Sequence, residues 1–406
     1  MSILPSPPAT GRFCRPTGKT LLALLLWSLV LTGRASAEGD PALYGFFDVE
    51  IRVALDTAAV KADVEGDGGN LTVTSGESGA GLNVAPTGKI LAESSPKGIK
   101  INHLIYPTSG ARIESKSGTI TFNGKKYRGY LLVWNGQNGT LTVVNHLPLD
   151  YYIRSVVAME IPKTWPIEAL KAQSVAARTY ALNKRQDNAG NPFDVTPDVM
   201  DQVYGGLEVE NEAANQAVKA TEGLTLVYEN HLALTYFHSN AGGRTENGSE
   251  VFHTANAPYL KSVACRYAGD SPYYAWQLNV GLPEIESALA RNGLFSGKIS
   301  RISVQSHTDS GRVRQLKIYG GNKTELLDAS AFRRALGGTR LRSTRFSVRS
   351  FGQSVTFVGN GYGHGVGLCQ WGAKGMAEHK IGFKEILSHF YPGAVLSTSF
   401  LTTAME

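Results

Sequence analysis

Apolar and polar residues alternate in short runs over residues 42–144, and turn residues separate the runs. The clearest runs are Val49–Leu55, Lys125–Trp134 and Gly139–Asn145. Alternation with a period of two is typical of strands with one buried face. The Gly- and Ser-rich stretch 66–81 predicts a loop. We therefore predict a β-rich N-terminal domain at residues 38–145, without helices.

Helical spacing of apolar residues begins after residue 146. Asp150–Met159 carries this spacing up to Pro162, and Pro166 opens a second helix that runs to Tyr180, with Thr164 as its expected cap. The second helix is rich in alanine on adjoining faces. We expect it to pack closely in the interior.

The remaining chain mixes helices with strands. A helix is predicted at Glu210–Thr221, and a hairpin at Leu224–Phe237. From about 272 to 351 the pattern predicts an inserted βα subdomain that contains none of the candidate chemistry. Its predicted elements are the helix Leu282–Arg291, the strands Ile299–His307 and Val313–Tyr319, and the helix Asp328–Leu336. Beyond this subdomain, Phe383–Phe390 is an amphipathic stretch. The predicted fold class is α+β, with a mixed helical and β-hairpin core at residues 146–406.

The N-terminal segment has the composition of a cleavable secretory signal peptide, residues 1–37. Basic residues precede the apolar run Leu21–Leu31, and Ala35–Ala37 matches a cleavage site. Cleavage would remove four basic residues and lower the formal net charge from +6 to +2. Nucleic acid is therefore not an expected partner. We expect export to a periplasm, cell wall or medium, with no stable membrane span after cleavage.

Two cysteines, Cys265 and Cys369, remain after the leader is removed. Export permits a disulfide between them, but their spacing leaves open whether they are bridged or unpaired. No clustered His and Cys spacing suggests a metal site, and no cofactor is expected. The glycine pattern Gly361–Gly367 does not follow the dinucleotide fingerprint, and no serine nucleophile elbow is present.

Glu160 is the main candidate for acid–base chemistry. It stands where one helix must end, before Pro162, and a second helix begins at Pro166. An apolar wall and the carbonyl end of a helix both disfavour the ionised carboxylate, so they would raise its pKa. A general acid that works near neutral pH requires a raised pKa. An exposed glutamate at a frayed helix end would show the same local pattern.

Two glycine-rich loops each contain a histidine. His238 precedes Gly242 and Gly243, and His364 lies between Gly363 and Gly365. Glycines let backbone amides approach a ligand, and an imidazole can bond a sugar hydroxyl or acetamido group. Tight turns whose histidines satisfy local backbone groups are the alternative interpretation.

Four motifs in order make the sequence resemble the SpoIID/LytB family, which comprises the sporulation stage II protein D and the amidase-enhancer proteins. They are Leu147–Pro162 with Glu168–Tyr180, Asp201-Gln-Val-Tyr204-Gly-Gly, His238-Ser-Asn-Ala-Gly-Gly243 and Gly363-His-Gly-Val-Gly-Leu-Cys-Gln-Trp-Gly372. The resemblance covers roughly Ala42 to Pro392.

The resemblance implies a protein directed at peptidoglycan glycan strands, with a cell-wall amidase as a second candidate partner. For the sporulation members it implies a lytic transglycosylase that acts on strands stripped of stem peptides, with the catalytic acid at Glu160. The glycan groove would be lined by Arg178, Tyr204, His238, Ser239, Gly243, His364 and Gln370. Arg178 could instead neutralise a buried acid.

The chemistry agrees with the resemblance, because a lytic transglycosylase needs one carboxylate whereas a hydrolytic glycosidase usually needs two. Asp201 and Glu246 are the nearest alternative acids. Some family members carry a structural zinc before the Gln-Val-Tyr block, but Asn191–Asp201 has no Cys or His, so we expect no metal. A cleavable leader also departs from the membrane-anchored sporulation members. The rival hypotheses are a non-catalytic amidase enhancer that holds glycan and a purely structural envelope protein.

Overall fold

The computed structural model describes residues 49–398 except Glu77, Pro86, Val199, residues 253–256 and Asn322. The predicted signal peptide lies outside the described residues. The α+β fold class predicted from the sequence is confirmed. The predicted limits of the N-terminal domain, the core and the inserted subdomain stay predictions.

The N-terminal region forms two antiparallel sheets that share one hydrophobic core. Its strands are β1 (Glu50–Ala59), β2 (Lys61–Gly66), β3 (Leu71–Ser75), β4 (Lys89–Ser95), β5 (Gly98–Ile101), β6 (Leu104–Tyr106), β7 (Gly110–Ser115), β8 (Thr119–Phe122), β9 (Lys125–Arg128), β10 (Tyr130–Asn135) and β11 (Leu141–Pro148). The strand orders are β1-β11-β10-β7-β3 and β6-β5-β4-β2-β8-β9. Alternate residues such as Ile51, Val64 and Leu131 are fully buried in the shared core.

Two predictions in this region differ from the structure. The single run predicted at Lys125–Trp134 divides at Gly129 into β9 and β10, which belong to different sheets. Gly129 has a φ of +80°, and a Cβ there would lie 1.9 Å from the carbonyl oxygen of His146, so only glycine fits this corner. The predicted loop at 66–81 contains β3, whose Leu71 and Val73 are buried.

Strand β11 leads directly into the first helix, and a second helix forms the centre of the next layer. The helices are α1 (Leu149–Glu160) and α2 (Ile167–Asp187). Pro166 is the N-cap of α2 and no side chain caps it, so the predicted Thr164 cap is wrong. Small residues such as Ala172, Ala176 and Ala177 are fully buried along α2. They let α1 and later helices approach closely, as predicted for an interior helix.

The chain continues through a helix, a hairpin and a short helix. These elements are α3 (Glu212–Ala220), β12 (Thr225–Tyr228), β13 (His231–Leu232), β14 (Phe237–His238) and α4 (Gly248–Phe252). The side chain of Asn211 caps α3 by accepting from the Ala214 amide. Glu229 and Asn230 both have positive φ and form the tight turn between β12 and β13.

Residues 275–360 build a segment with its own hydrophobic core. Its elements are β15 (Ala275–Gly281), α5 (Leu282–Arg291), β16 (Arg301–His307), β17 (Val313–Gly320), β18 (Lys323–Asp328), α6 (Ala329–Leu336), β19 (Phe346–Phe351) and β20 (Ser354–Asn360). The first and last strands, β15 and β20, pair antiparallel and close the segment. Leu316, Phe332 and Phe357 are fully buried in its core.

The C-terminal elements return to the central layer. They are β21 (Leu368–Cys369), α7 (Gln370–Glu378), α8 (Phe383–Phe390) and β22 (Val395–Ser397). Strand β21 pairs in parallel with β14, and β22 pairs with β12. Cys265 and Cys369 are both buried free thiols, hydrogen-bonded to each other.

Candidate functional site

A cavity of about 610 Å³ lies where α1, the β14–β21 pair and α6 meet. It contains side chains from segments far apart in the sequence, including Glu160 and His238. The residues that line it are Glu160, Tyr180, Met200, Asp201, Val203, Tyr236, Phe237, His238, Ser239, Phe252, Arg333, Arg334, Gly338, Thr339, Tyr362, Gly363, His364 and Gln370. Five predicted site residues are therefore brought together: Glu160, His238, Ser239, His364 and Gln370.

Glu160 is the last residue of α1, and its carboxyl group faces this cavity. Gln370, the first residue of α7, donates from Nε2 to Glu160 Oε2 at 2.9 Å. Burial raises the pKa of the Glu160 carboxyl, and the bond from Gln370 opposes this only in part. No Lys, Arg or His of the described residues forms an ion pair with Glu160. The environment therefore favours the protonated acid.

Gln370 offers a direct test of this environment. Replacing Gln370 by Met removes the one side-chain bond that the described part of the chain gives to the carboxylate, so the pKa of Glu160 rises further. In an enzyme that uses Glu160 as its acid, the loss of kcat/KM at alkaline pH should then move to higher pH. The check is the pH–rate profile of Gln370→Met against wild type and against the exposed control Gln277→Met. An unchanged or lowered alkaline limb would contradict the assignment.

His238 has one ring nitrogen free for a ligand. It lies on β14, and its Nδ1 is 3.1 Å from the carbonyl oxygen of Val366, so Nδ1 carries the proton and donates. Its Nε2 is buried and has no hydrogen-bond partner among the described residues. Burial, with the nearby His364 and Arg312, holds the pKa of His238 well below its ordinary value. The neutral ring therefore presents an unused acceptor at the cavity wall.

His364 lines the same cavity, but its nitrogens serve the protein backbone. Nε2 donates to the carbonyl oxygen of Phe237 at 2.9 Å, and Nδ1 accepts from the amide of Val366 at 3.0 Å. Burial lowers its pKa to about 4. Because both nitrogens are occupied, His364 positions the loop and presents only its ring to a ligand, which is the alternative interpretation given to these histidines from the sequence.

The glycines of this loop are required by close packing. Gly363 has a φ of +109°, and a Cβ there would lie 2.8 Å from the Cβ of His238. Gly365 has a φ of +90°, and its Cβ would lie 2.4 Å from the guanidinium of Arg312. A side chain at Gly363 would displace His238 itself, and one at Gly365 would displace the guanidinium of Arg312.

Ser239 follows His238 into the cavity, and its carbonyl oxygen accepts from the amide of Trp371 at 3.1 Å. Gly243, predicted in the same motif, does not line the cavity. Its carbonyl oxygen accepts from the amide of Cys265 at 3.0 Å, which places it behind the site as a structural turn.

Arg178 and Tyr204 also lie outside the cavity, so their predicted place in the groove needs correction. The Arg178 side chain is fully buried; its Nε donates to Asp150 Oδ1 at 2.8 Å, and its other nitrogens donate to backbone carbonyls. Tyr204 is buried and donates to Asn145 Oδ1 at 2.8 Å. The polar atoms of both side chains form hydrogen bonds inside the fold. The alternative role given to Arg178, neutralising an acid, matches its position.

Every carboxylate oxygen of the two alternative acids accepts a hydrogen bond within the protein. Asp201 lines the cavity, but Oδ1 accepts from Tyr180 at 3.1 Å and Oδ2 accepts from the amide of Thr196 at 2.8 Å. Glu246 is buried away from the cavity; its Oε1 accepts from the amide of Asn247 at 2.8 Å, and its Oε2 accepts from Thr308 and Ser310 at 2.6 and 2.8 Å. Within the part of the chain described, no group of three or more His, Cys, Asp and Glu side chains is placed to hold a metal ion.

The sequence analysis missed the side chains that α6 and the loop after it contribute to the cavity. The inserted segment was expected to hold no candidate chemistry, but Arg333, Arg334 and Thr339 line the cavity. No sequence signal marks them, because they belong to no motif and lie far along the chain from Glu160. Tyr180 could have been predicted as a cavity residue, because it is the last residue of the motif that contains Arg178.

Comparison with known proteins gives the family. The SpoIID model, described as stage II sporulation protein, matches residues 137–228, and a domain of unknown function, DUF8618, matches residues 253–367. The chain is 30% identical over 349 residues to stage II sporulation protein D of Bacillus amyloliquefaciens, which covers 79% of this chain and 94% of that protein. The chain therefore belongs to the SpoIID family, as its motifs predicted.

Two further relatives span different shares of their own length. An uncharacterized protein of Brachyspira hyodysenteriae is 36% identical over 297 residues, which cover 73% of this chain and 78% of that protein. The amidase enhancer of Bacillus subtilis is 29% identical over 334 residues, which cover 70% of this chain but 46% of the enhancer. No helix among the described residues is long and apolar enough to cross a membrane.

Proposed function

We propose that this protein is a peptidoglycan lytic transglycosylase. It cleaves MurNAc–GlcNAc bonds in glycan strands free of stem peptides and leaves 1,6-anhydroMurNAc ends, with Glu160 as acid and then base. The names of its relatives, stage II sporulation protein D and amidase enhancer, support a role at the cell wall. The geometry of the cavity around Glu160 supports the specific lytic transglycosylase activity.

The observation that carries the proposal is the Glu160 carboxyl at the wall of the cavity, where burial raises its pKa. Its proton passes to the glycosidic oxygen as the bond from that oxygen to the MurNAc C1 breaks. The C6 hydroxyl of the same sugar then forms the new bond to C1, and the Glu160 carboxylate takes the C6 hydroxyl proton. Protons and bonds balance without water, so one carboxylate suffices.

The surroundings of Glu160 support this reaction over hydrolysis. A hydrolase would usually need a second carboxylate to activate water or attack the sugar. The oxygens of Asp201, the nearest candidate, already accept from Tyr180 and Thr196. The free Nε2 of His238 is instead a neutral acceptor for a sugar hydroxyl or acetamido N–H, and Ser239 follows it along the wall.

The test is to incubate purified protein with peptide-free glycan strands and to measure the products by mass spectrometry. We expect products 18 Da lighter than hydrolytic ones (one water, by the chemistry of the anhydro ring). Reducing MurNAc ends would identify a hydrolase. Absence of any cleavage, with retained binding of the strands, would overturn the lyase proposal.

A non-catalytic amidase enhancer is the second candidate, and the 29% identity to the enhancer of Bacillus subtilis favours it. It predicts that the protein stimulates a cell-wall amidase without forming anhydro ends. Stimulation that persists in Glu160→Gln would assign the enhancer role. Either role places the protein outside the cytoplasm, which is consistent with the predicted signal peptide.

A further inference from the structure

Two arginines of α6 contribute positive charge to the cavity that contains Glu160. Arg333 is partly buried and Arg334 is exposed, and both line the cavity wall. They come from the segment 275–360, which has a hydrophobic core separate from that of α1. The cavity is therefore built jointly by the motif-bearing core and this segment.

Arg333 is held in place by the backbone and has no acidic partner in the described part of the chain. Its Nε donates to the carbonyl oxygen of Leu341 at 2.8 Å, and Nη2 donates to the carbonyl oxygen of Gly338 at 3.0 Å. These bonds fix the guanidinium and leave Nη1 without a hydrogen-bond partner among the described residues. No carboxylate of those residues contributes to its electrostatic environment.

An unpaired, partly buried guanidinium is costly unless an anion completes it. The neighbouring charges do not supply one, because Arg334 repels it and Arg312 adds further positive charge. Glu160 is not its counter-ion either, since the described residues contain no ion pair between Glu160 and Arg333 and no charge of Arg333 lowers the pKa of Glu160. The charge of Arg333 is therefore available to a ligand in the cavity.

We infer that Arg333 forms a carboxylate-binding subsite, with Arg334 at its edge, for the free lactyl carboxylate of muramic acid. The inference rests on the proposed function, because it assumes a glycan strand in this cavity. In such a strand GlcNAc is neutral, and the 3-O-lactyl group of MurNAc carries the ionisable carboxyl. A guanidinium fits a carboxylate in planar geometry, which favours arginine over lysine here.

The subsite gives a physical reason for a preference for stripped strands. When a stem peptide is attached, the lactyl carboxyl is an amide, which is neutral and bulky. It cannot form the ion pair, and it leaves the guanidinium uncompensated. Through Arg333, the segment 275–360 therefore favours strands from which an amidase has already removed the stem peptide.

The test compares one pair of ligands on one protein. Peptide-free glycan oligomers are prepared with the free lactyl carboxylate or with that carboxylate coupled to methylamine. Binding of each to the Glu160→Gln protein is measured by calorimetry, so that no turnover occurs. We expect the carboxylate form to bind about 10-fold or more tightly, as one charge-assisted pair provides, and the difference to shrink at high salt.

Variants assign the difference to Arg333. Arg333→Gln should abolish the preference and Arg333→Lys should keep part of it. Arg349→Gln, at an exposed position on β19 of the same segment, should leave it unchanged. Equal binding of the two ligands, or an intact preference in folded Arg333→Gln, would overturn the subsite. The ligand comparison needs no change at position 333, so it decides the question even where Arg333→Gln fails to fold.

The outcome is separable from that of the proposed function. Carboxylate-selective binding by a protein that forms no anhydro ends would sink the lyase and leave the subsite standing. Anhydro ends formed equally from carboxylate and methylamide strands would sink the subsite and leave the lyase standing.

Discussion

Glu160→Gln is expected to lower kcat for the release of anhydromuramyl ends by about 10²- to 10⁴-fold, the usual contribution of a general acid. The amide has the shape of the carboxyl group and can keep a bond to Gln370, but it has no proton to give to the glycosidic oxygen. KM should change little, because the acid acts on the transition state. The measurement is single-turnover cleavage of peptide-free strands, with the exposed Glu208→Gln as the matched control.

The same substitution should stabilise the fold at neutral pH. The folded-state pKa of Glu160 is raised by burial, so the folded protein holds a proton that the unfolded chain releases, and stability falls as pH rises through that window. Glutamine does not ionise, so its variant does not lose this stability as the pH rises. We expect a Tm gain of about 2 °C at pH 7, corresponding to roughly 1 kcal/mol in a chain of this size. The gain should vanish at about pH 4, near the ordinary pKa of glutamate.

The catalytic role of Glu160 requires both the loss of kcat and the gain in Tm in Glu160→Gln. A variant that loses activity and melts at lower temperature would point to a structural glutamate. Wild-type rates in Glu160→Gln would remove the acid from the mechanism altogether, whatever its stability.

Arg178→Met is expected to destabilise the protein by about 3–5 kcal/mol, because it breaks a buried ion pair. Asp150, the ion-pair partner, has a side chain only 19% exposed, and the carbonyl oxygens of Val218 and Leu224 would also lose their donor. Tm should fall by roughly 6–10 °C. The check is thermal unfolding beside Arg185→Met, a change of a less buried arginine on the same helix.

Kinetics separate this structural role from glycan binding. Arg178 touches no part of the cavity, so the folded fraction at low temperature should keep kcat/KM within about 2-fold of wild type. A protein with unchanged Tm and a strongly raised KM would instead restore Arg178 to the groove.

Local signals predicted much of the fold. The helix Leu282–Arg291 begins and ends as predicted, and the amphipathic stretch Phe383–Phe390 forms a helix with the same bounds, since both apolar faces are strongly periodic. The division at Gly129 was not predicted, because alternation continues through the glycine while the chain changes sheet. Strand β3 was missed because glycines surround it and obscure its short alternation.

The site was predictable only where a motif marked it. Glu160 stood out because a helix end and a proline coincide there. The occupied nitrogens of His364 depend on the backbone of Phe237, which lies far away in sequence. The same holds for Arg333, whose place beside the cavity follows from the closure of segment 275–360. Long-range packing of this kind leaves no trace in local spacing.

The parallel pairing of β14 with β21 has a consequence for when the cavity exists. His238 and Val366 are 128 positions apart, and Glu160 meets Gln370 across 210 positions. A chain that folds as it emerges, N-terminus first, therefore completes α1 long before its partner side chain has been released. A nascent chain in which β21 and Gln370 have not yet emerged therefore lacks both the strand that pairs with β14 and the hydrogen-bond donor to Glu160, so its cavity is incomplete.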